Sequence, residues 1–403
     1  MTEVSTEALT ESPRTPRLLS LDAYRGFVML AMASAGLGIG EVAKSKAFAA
    51  SPIWKTIATQ LDHVEWRGCV FWDLIQPSFM FIVGVAMPFS FASRVAAGQS
   101  WGKQFAHALQ RAGVLILLGI FLSSIGRTST NFTFVNVLTQ IGLAYPFLFL
   151  LLGTKSAVKW NVASLILIGY WALFALDPSS AEAGTVFTLK EGFANPNIFT
   201  KYAEHWTKGA NPAARFDFWF LNLFHQPGGQ PFRSNFGGYA TLNFIPSMAT
   251  MIFGMLAGEL LLSQRKPAAK LVRLIIASAA GLVLGSILDA TICPSVKRIW
   301  TPSWAIFSTG WTCGLLAIFY FVIEMQGLRR WAFPLVVVGA NSIAMYVMAS
   351  ASKPFVKSSL ETHLALKTWT SGTYGPILVS SAVLAVLWLI CLWMYRQKIF
   401  IKI

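Results

Sequence analysis

The sequence predicts an all-α fold: a polytopic membrane bundle of about ten transmembrane helices with two long extracytoplasmic loops. Three observations predict it. Of 403 residues, 55% are hydrophobic and only 12% are charged, about half the charged share of an ordinary soluble domain. The mean hydropathy is +0.57. The apolar residues also gather into runs near twenty residues, long enough as helices to cross a bilayer. So few charges could not cover the surface of a soluble chain of this length.

The elements follow in order. Residues 1–17 are polar and carry Glu3, Glu7, Glu11, Pro13 and Pro16. They read as a disordered cytoplasmic lead rather than a secretory n-region. Residues 18–403 read as one transmembrane domain. Its first span, 20–41, opens on Asp22 and Arg25 and lacks a small-residue cleavage pattern, which predicts an uncleaved helix. Apolar runs then predict spans at 72–93, 105–125, 133–153 and 157–176. The next, 238–263, contains Gly254 and Gly258, a small-xxx-small pair suited to close helix packing. Further spans are predicted at 271–291, 303–325, 332–351 and 374–395. The long connections are about 42–71 and 177–237. The second is rich in Gly, Pro, Asn and aromatic residues such as Trp206 and Trp219, which suits loop together with amphipathic surface helices.

A net charge of +15 in a soluble protein would suggest nucleic acid. Here the basic residues sit singly or in pairs between apolar runs, so they read as topology determinants and anionic-lipid contacts, with no nucleic acid. With the N-terminus inside, sixteen of the 32 Lys and Arg fall in inner segments, fifteen outside and Arg25 within the first helix. The inner segments have about half the total length of the outer ones, so basic density favours cytoplasmic N- and C-termini. Cys69, Cys293, Cys313 and Cys391 form no C-x-x-C pair. Neither a metal site nor a disulfide framework is expected.

Ionisable residues at or inside apolar runs are costly and hence candidates for function. Asp22 and Arg25, three apart, share a helical face and suit a structural ion pair. The densest polar cluster precedes the second span: Asp62-His63-Val64-Glu65-Trp66-Arg67-Gly68, then Trp72-Asp73-Leu74-Ile75-Gln76-Pro77. Carboxylates flanking a histidine can fix its tautomer and raise its pKa. His63 would then suit a general base or an acyl-accepting nucleophile, with Asp62, Glu65 or Asp73 orienting the ring. The competing account is an interfacial histidine beside a tryptophan. Asn243 and Asn341 lie in or beside apolar runs, where an amide needs a partner: either an interhelical hydrogen bond or a substrate.

At this cluster the sequence resembles the heparan-alpha-glucosaminide N-acetyltransferase family of transmembrane acyltransferases, and its bacterial members in particular. The resemblance runs from Arg17 onward. It rests on S-L-D-A-Y-R-G at 20–26, H-V-E-W-R-G at 63–68, D-L-I-Q-P-S-F-M-F-I-V-G at 73–84, Y-A-T-L-N at 239–243, K-R-I-W-T-P-S at 297–303 and G-A-N-S-I-A-M-Y at 339–346. It implies transfer of an acetyl group from cytosolic acetyl-CoA to a sugar or glycan acceptor across a bacterial inner membrane. It also implies that His63, in the family's H-x-x-W-x-G segment, is the active histidine. Two departures stand out. Where the family often has an Asn near the end of the first helix this chain has Gly36, and where it has G-V-L-Q-R-I this chain has Asn136-Val137-Leu138-Thr139-Gln140-Ile141.

CoA phosphates would need cations on the inner side. His107 and Arg111, four apart on one face at the inner end of the third span, are the candidates, flanked by Arg94 and Lys103; positive-inside anchoring is the competing account. In the K-R-I-W-T-P-S segment, Lys297 could orient a sugar that stacks on Trp300 or Trp304; interfacial aromatic anchoring is the competing account. The partners expected are acetyl-CoA, the acceptor and the lipid bilayer, with self-association left open. The rival function is a secondary transporter whose polar residues bind a solute without acyl chemistry.

Overall fold

The computed structural model describes residues 18–177, 201–233 and 237–401. The polar lead and part of the second long loop lie outside these residues. Fourteen helices of eight or more residues organise the described residues: α1 Leu19–Ser34, α2 Pro52–Gln60, α3 Ile75–Ala96, α4 Trp101–Ser124, α5 Val137–Leu150, α6 Ser156–Ala175, α7 Pro212–Leu221, α8 Phe244–Leu262, α9 Pro267–Thr291, α10 Pro302–Phe319, α11 Phe333–Ala340, α12 Ser342–Ala351, α13 Lys353–His363 and α14 Gly375–Arg396. Among the described residues there are no strands, only an isolated antiparallel bridge between Arg67 and Val296. Among the described residues, eight helices are long and apolar enough to cross a membrane, or nine if α11 and α12 form one bent span. The chain is a multi-pass membrane protein.

The expected count of about ten differs from this at two places. The run at 133–153 yields only α5, whose 14 residues rise about 21 Å against a hydrocarbon core of about 30 Å. Asn136 starts it late by accepting the backbone N–H groups of Leu138 and Thr139, at 3.1 and 3.0 Å. The run at 332–351 is broken at Asn341, where α11 and α12 meet with a 70° bend.

α1 ends sooner than the apolar run suggests, for a local reason. Ala35, Gly36, Leu37 and Gly38 all have positive φ, between 48° and 69°. That conformation costs an L-residue about 1–2 kcal/mol, and glycine at two of the four positions halves the strain. Gly38 is needed twice over, since a Cβ there would lie 2.5 Å from the carbonyl oxygen of Pro376 at the start of α14.

Small residues set the helix contacts. α3 and α8 touch backbone to backbone: a Cβ on Gly84 would meet Met251 O at 2.0 Å, and one on Gly254 would meet Phe81 O at 2.2 Å. Gly258 packs against Val85 in the same way, so the small-xxx-small pair read in the sequence is a packing device. Gly26 of α1 and Gly339 of α11 repeat it, each against the other helix's backbone.

The alternation of helices leaves two distinct ends. The start of α1 and the residues after α14 meet at one end, where Asp22, Phe400 and Ile401 line a common cavity. There Glu324 Oε1, at the end of the chain segment following α10, accepts the backbone N–H of Ser20 at 2.9 Å, satisfying an open donor of the first turn of α1. The loops after α1, α6 and α9 gather at the opposite end, which is called the loop end below.

Candidate functional site

At the loop end the segment between α2 and α3 docks on the segment between α9 and α10. Gly68 N–H donates to Ser295 O at 3.0 Å. Arg67 forks onto Asp289, with Nε–Oδ1 at 3.0 Å and Nη2–Oδ2 at 3.2 Å. Trp66 is wholly buried and donates its indole N–H to Trp206 O at 2.9 Å. These anchors bring His63 against Asp73 and Lys297.

His63 Nδ1 lies 2.7 Å from Asp73 Oδ1. Lys297 Nζ is 3.2 Å from the same oxygen and 3.3 Å from His63 Nδ1. An ammonium has only donors, and a carboxylate at 2.7 Å requires a proton on Nδ1. Both groups therefore donate to Asp73, and the approach of Lys297 to Nδ1 is proximity rather than a hydrogen bond. Asp73 Oδ2 faces the backbone N–H groups of Val64 and Val70 at 3.3 and 3.4 Å. Asp73 and Lys297 are buried, whereas the His63 side chain is 39% exposed. With Nδ1 committed inward, the neutral ring carries its lone pair on Nε2, the atom that can accept a proton or attack a carbonyl.

The two other carboxylates named from sequence are not on the ring. Asp62 pairs with Lys44, and its Oδ1 accepts the backbone N–H of His63 at 2.8 Å. The Lys44 hydrogen bond, then the His63 N–H, hold its carboxyl below the usual range. Glu65 is exposed, and its electrostatic neighbour is Lys208. Cys69, beside the cluster, is no competing nucleophile at neutral pH: burial, with the Asp73 charge, pushes its thiol up to about 12.

Trp300 departs from its expected place. Both it and Trp304 are fully buried, and Trp300 donates its indole N–H to Thr250 Oγ1 at 3.2 Å, so neither ring offers a face to a sugar. Trp300 also has a left-handed φ of 48°, which turns the chain from Lys297 into α10. Asn243 holds that turn by donating to Arg298 O at 2.7 Å. Arg298 was not singled out from sequence, although it adjoins Lys297. It donates to Gly237 O and to Val64 O, and its guanidinium lies 5.4 Å from the centre of the Tyr239 ring.

The remaining candidates cluster around a cavity of about 520 Å³ at the end where the termini meet. Arg94, His107 and Arg111 line it, with Asp22, Arg25 and Tyr145. Asp22 and Arg25 form the expected pair at 3.6 Å. Arg111 lies 4.7 Å from the centre of the Tyr145 ring and donates to its hydroxyl at 3.3 Å. Its buried Nε has no hydrogen-bond partner among the described residues, which suits a cation held ready for an anion. Lys103 is exposed and does not line the cavity. Asn341 is far from His63: its amide donates to Ile399 O at 3.0 Å and accepts from Ile401 N–H at 3.1 Å, tying the C-terminal segment to the bend. The cavity reaches Val137, Leu138 and Phe79. Phe79 is six residues beyond Asp73 on the same helix, about 9 Å along its axis.

No family model matches the chain. The chain is similar to heparan-alpha-glucosaminide N-acetyltransferase of Homo sapiens, 24% identical over 435 residues. The alignment takes in 96% of this chain and 60% of the human protein's length. The likeness is distant and takes in nearly the whole of this chain.

Proposed function

We propose that this protein is a membrane acyltransferase that moves an acetyl group from acetyl-CoA to an amine or hydroxyl of a sugar or glycan acceptor. The observation that carries the reading is the His63–Asp73–Lys297 cluster at the loop end, with a cation-lined cavity at the opposite end. The human relative, named for N-acetyl transfer to a glucosaminide, supports the same class of reaction.

Acetyl-CoA enters at the end holding the termini, which in this reading faces the cytoplasm. Arg111, with Arg94 and His107, takes the phosphates, and the thioester points along the cavity toward Asp73 and His63. Asp73 keeps the proton on Nδ1 and stabilises the imidazolium that forms when Nε2 gains a bond. Lys297 offsets the buried Asp73 charge. In a two-step course Nε2 attacks the thioester carbonyl, the C–S bond breaks and CoA leaves as the thiolate. The acceptor amine then attacks the acetyl-imidazole, the acyl C–Nε2 bond breaks to restore neutral His63, and the amine's proton is released to water. In a one-step course Nε2 takes the proton of the amine as it attacks the thioester carbonyl directly, the C–S bond breaks, and the proton passes from Nε2 to the leaving CoA thiolate. A quenched single turnover, read by mass spectrometry for an acetyl group on His63, separates the two.

The decisive experiment is incubation of detergent-purified protein with radiolabelled acetyl-CoA and amino-sugar acceptors. His63→Ala is expected to lower transfer by about 10²–10⁴-fold, with expression and CoA binding retained. Turnover within threefold of wild type would remove His63 from the mechanism. Solute flux without any acyl turnover would identify a transporter instead.

A further inference from the structure

A second cavity, of about 640 Å³, lies between α6, α8, α9 and α10, at the end where the termini meet. It shares no lining residue with the one assigned to the acyl donor. Its walls are mostly apolar, including Trp160, Phe253, Leu260 and Leu284, and the exposed Arg265 and Arg273 also line it. On α9 the flanking side chains Val272, Ile276 and Val283 are more than half exposed, so this flank faces the hydrocarbon of the bilayer.

The charges in this cavity are unequal. Glu259, its acid, is already matched: Lys159, with a fully buried side chain, holds it at 2.8 Å, and the same ammonium donates to Thr154 O at 2.7 Å. Among the described residues neither Arg265 nor Arg273 has an acid within salt-bridge distance. Two unmatched guanidiniums thus face an apolar slot near a membrane boundary. Guanidinium forks suit phosphate oxygens, and an apolar slot open to the hydrocarbon suits acyl chains. We infer that this cavity binds an anionic phospholipid, its phosphate on Arg265 and Arg273 and an acyl chain against Trp160 and Leu284. The inference is independent of the acyltransferase reading, because none of these residues belongs to the His63 cluster or the donor cavity.

Delipidated protein in a neutral detergent tests it. Melting would be followed while dioleoyl phosphatidylglycerol, dioleoyl phosphatidylcholine or soluble glycerol phosphate is added. Phosphatidylglycerol is expected to raise the melting temperature by several degrees at concentrations where the other two do not. Arg273→Gln should weaken that response roughly tenfold in lipid concentration. Ala280→Phe fills the cavity from an exposed position on α9 and should abolish the response while leaving the lipid-free melting temperature unchanged. An equal response to phosphatidylcholine, an equal response to glycerol phosphate, or a full response in Ala280→Phe would overturn the inference. So would a lipid-independent dimer that buries α9.

Discussion

The direction of the His63 ring depends on what holds its inner nitrogen. Asp73 accepts the Nδ1–H hydrogen bond at 2.7 Å, and Lys297 donates to the same carboxylate at 3.2 Å, so one buried carboxylate answers both groups. Removing one partner of a buried pair is worse than trimming its support. Asp73→Asn leaves the Lys297 ammonium buried without its counter-charge, a loss of about 3–5 kcal/mol. Lys297→Met leaves Asp73 its histidine and two backbone N–H groups, so its melting temperature should fall less. The reverse order would show that Lys297, not Asp73, is the centre of the cluster. At the other cavity, Arg111→Ala should weaken CoA binding by roughly ten- to a hundredfold, the worth of one charge-assisted contact of about 1.5–3 kcal/mol. Calorimetry with CoA and dephospho-CoA checks it, and unchanged affinity for both would leave Arg111 a topology residue. Asp217 gives a pH signature. Burial pushes its carboxyl up to about 6 although both oxygens accept from Thr241 N–H, at 3.1 and 3.0 Å. The folded state therefore binds more protons than the unfolded one between pH 4 and 6, and stability should fall by up to about 3 kcal/mol as pH rises through that window. Asp217→Asn should flatten that slope in detergent melting curves; an unchanged slope would assign it to other groups.

At the scale of elements, the close pair α3–α8 carries the scaffold, because Asp73 sits in the turn at 71–74 that leads into α3, which bears cavity-lining residues farther along. Gly254→Leu would force a side chain into the Phe81 carbonyl, where even a Cβ would sit at 2.2 Å. Overpacking of this kind costs about 1–3 kcal/mol or more, and it should also shift Asp73, lowering both melting temperature and transfer. Full transfer in a stably folded Gly254→Leu protein would disconnect this helix contact from the site. Periodicity and length were enough to find the long spans, since each is a run of apolar residues with no internal competitor. They overestimated α5 and missed the break at Asn341. Both faults come from polar side chains that bond backbone, Asn136 at a helix start and Asn341 to Ile399 and Ile401, and hydropathy does not register such bonds.

For the whole molecule, the two ends have different chemistry: cations around one cavity, and a histidine–carboxylate–lysine cluster at the other end. If donor and acceptor approach from opposite sides, orientation becomes part of the mechanism. Basic residues at and beside the connections of α3 to α4 (Arg94, Lys103), α5 to α6 (Lys155, Lys159) and α8 to α9 (Arg265, Lys266) predict a cytoplasmic position for them. On a background lacking the four native cysteines, an impermeant maleimide applied to intact cells should label Ser51→Cys and spare Ser263→Cys. The opposite pattern would put His63 on the same side as the donor pool and remove the need for a path through the bundle.

The sequence by itself determined that the chain is a helical membrane protein, and it marked His63, Asp73, Arg111 and the small-xxx-small pair for attention. Those signals are local: run length, the cost of a charge among apolar residues, and short spacings on one helix face. The tertiary structure alone decided which of the nearby carboxylates takes the imidazole. Asp62 adjoins His63 in sequence yet turns to Lys44, while Asp73 is ten residues away and Lys297 is 234. It also buried Trp300, moved Asn341 to the far end and brought in Arg298. Those outcomes depend on how the α9–α10 connection docks on the α2–α3 connection, a long-range packing choice made by Trp66, Gly68 and Arg67 that no short stretch of sequence encodes.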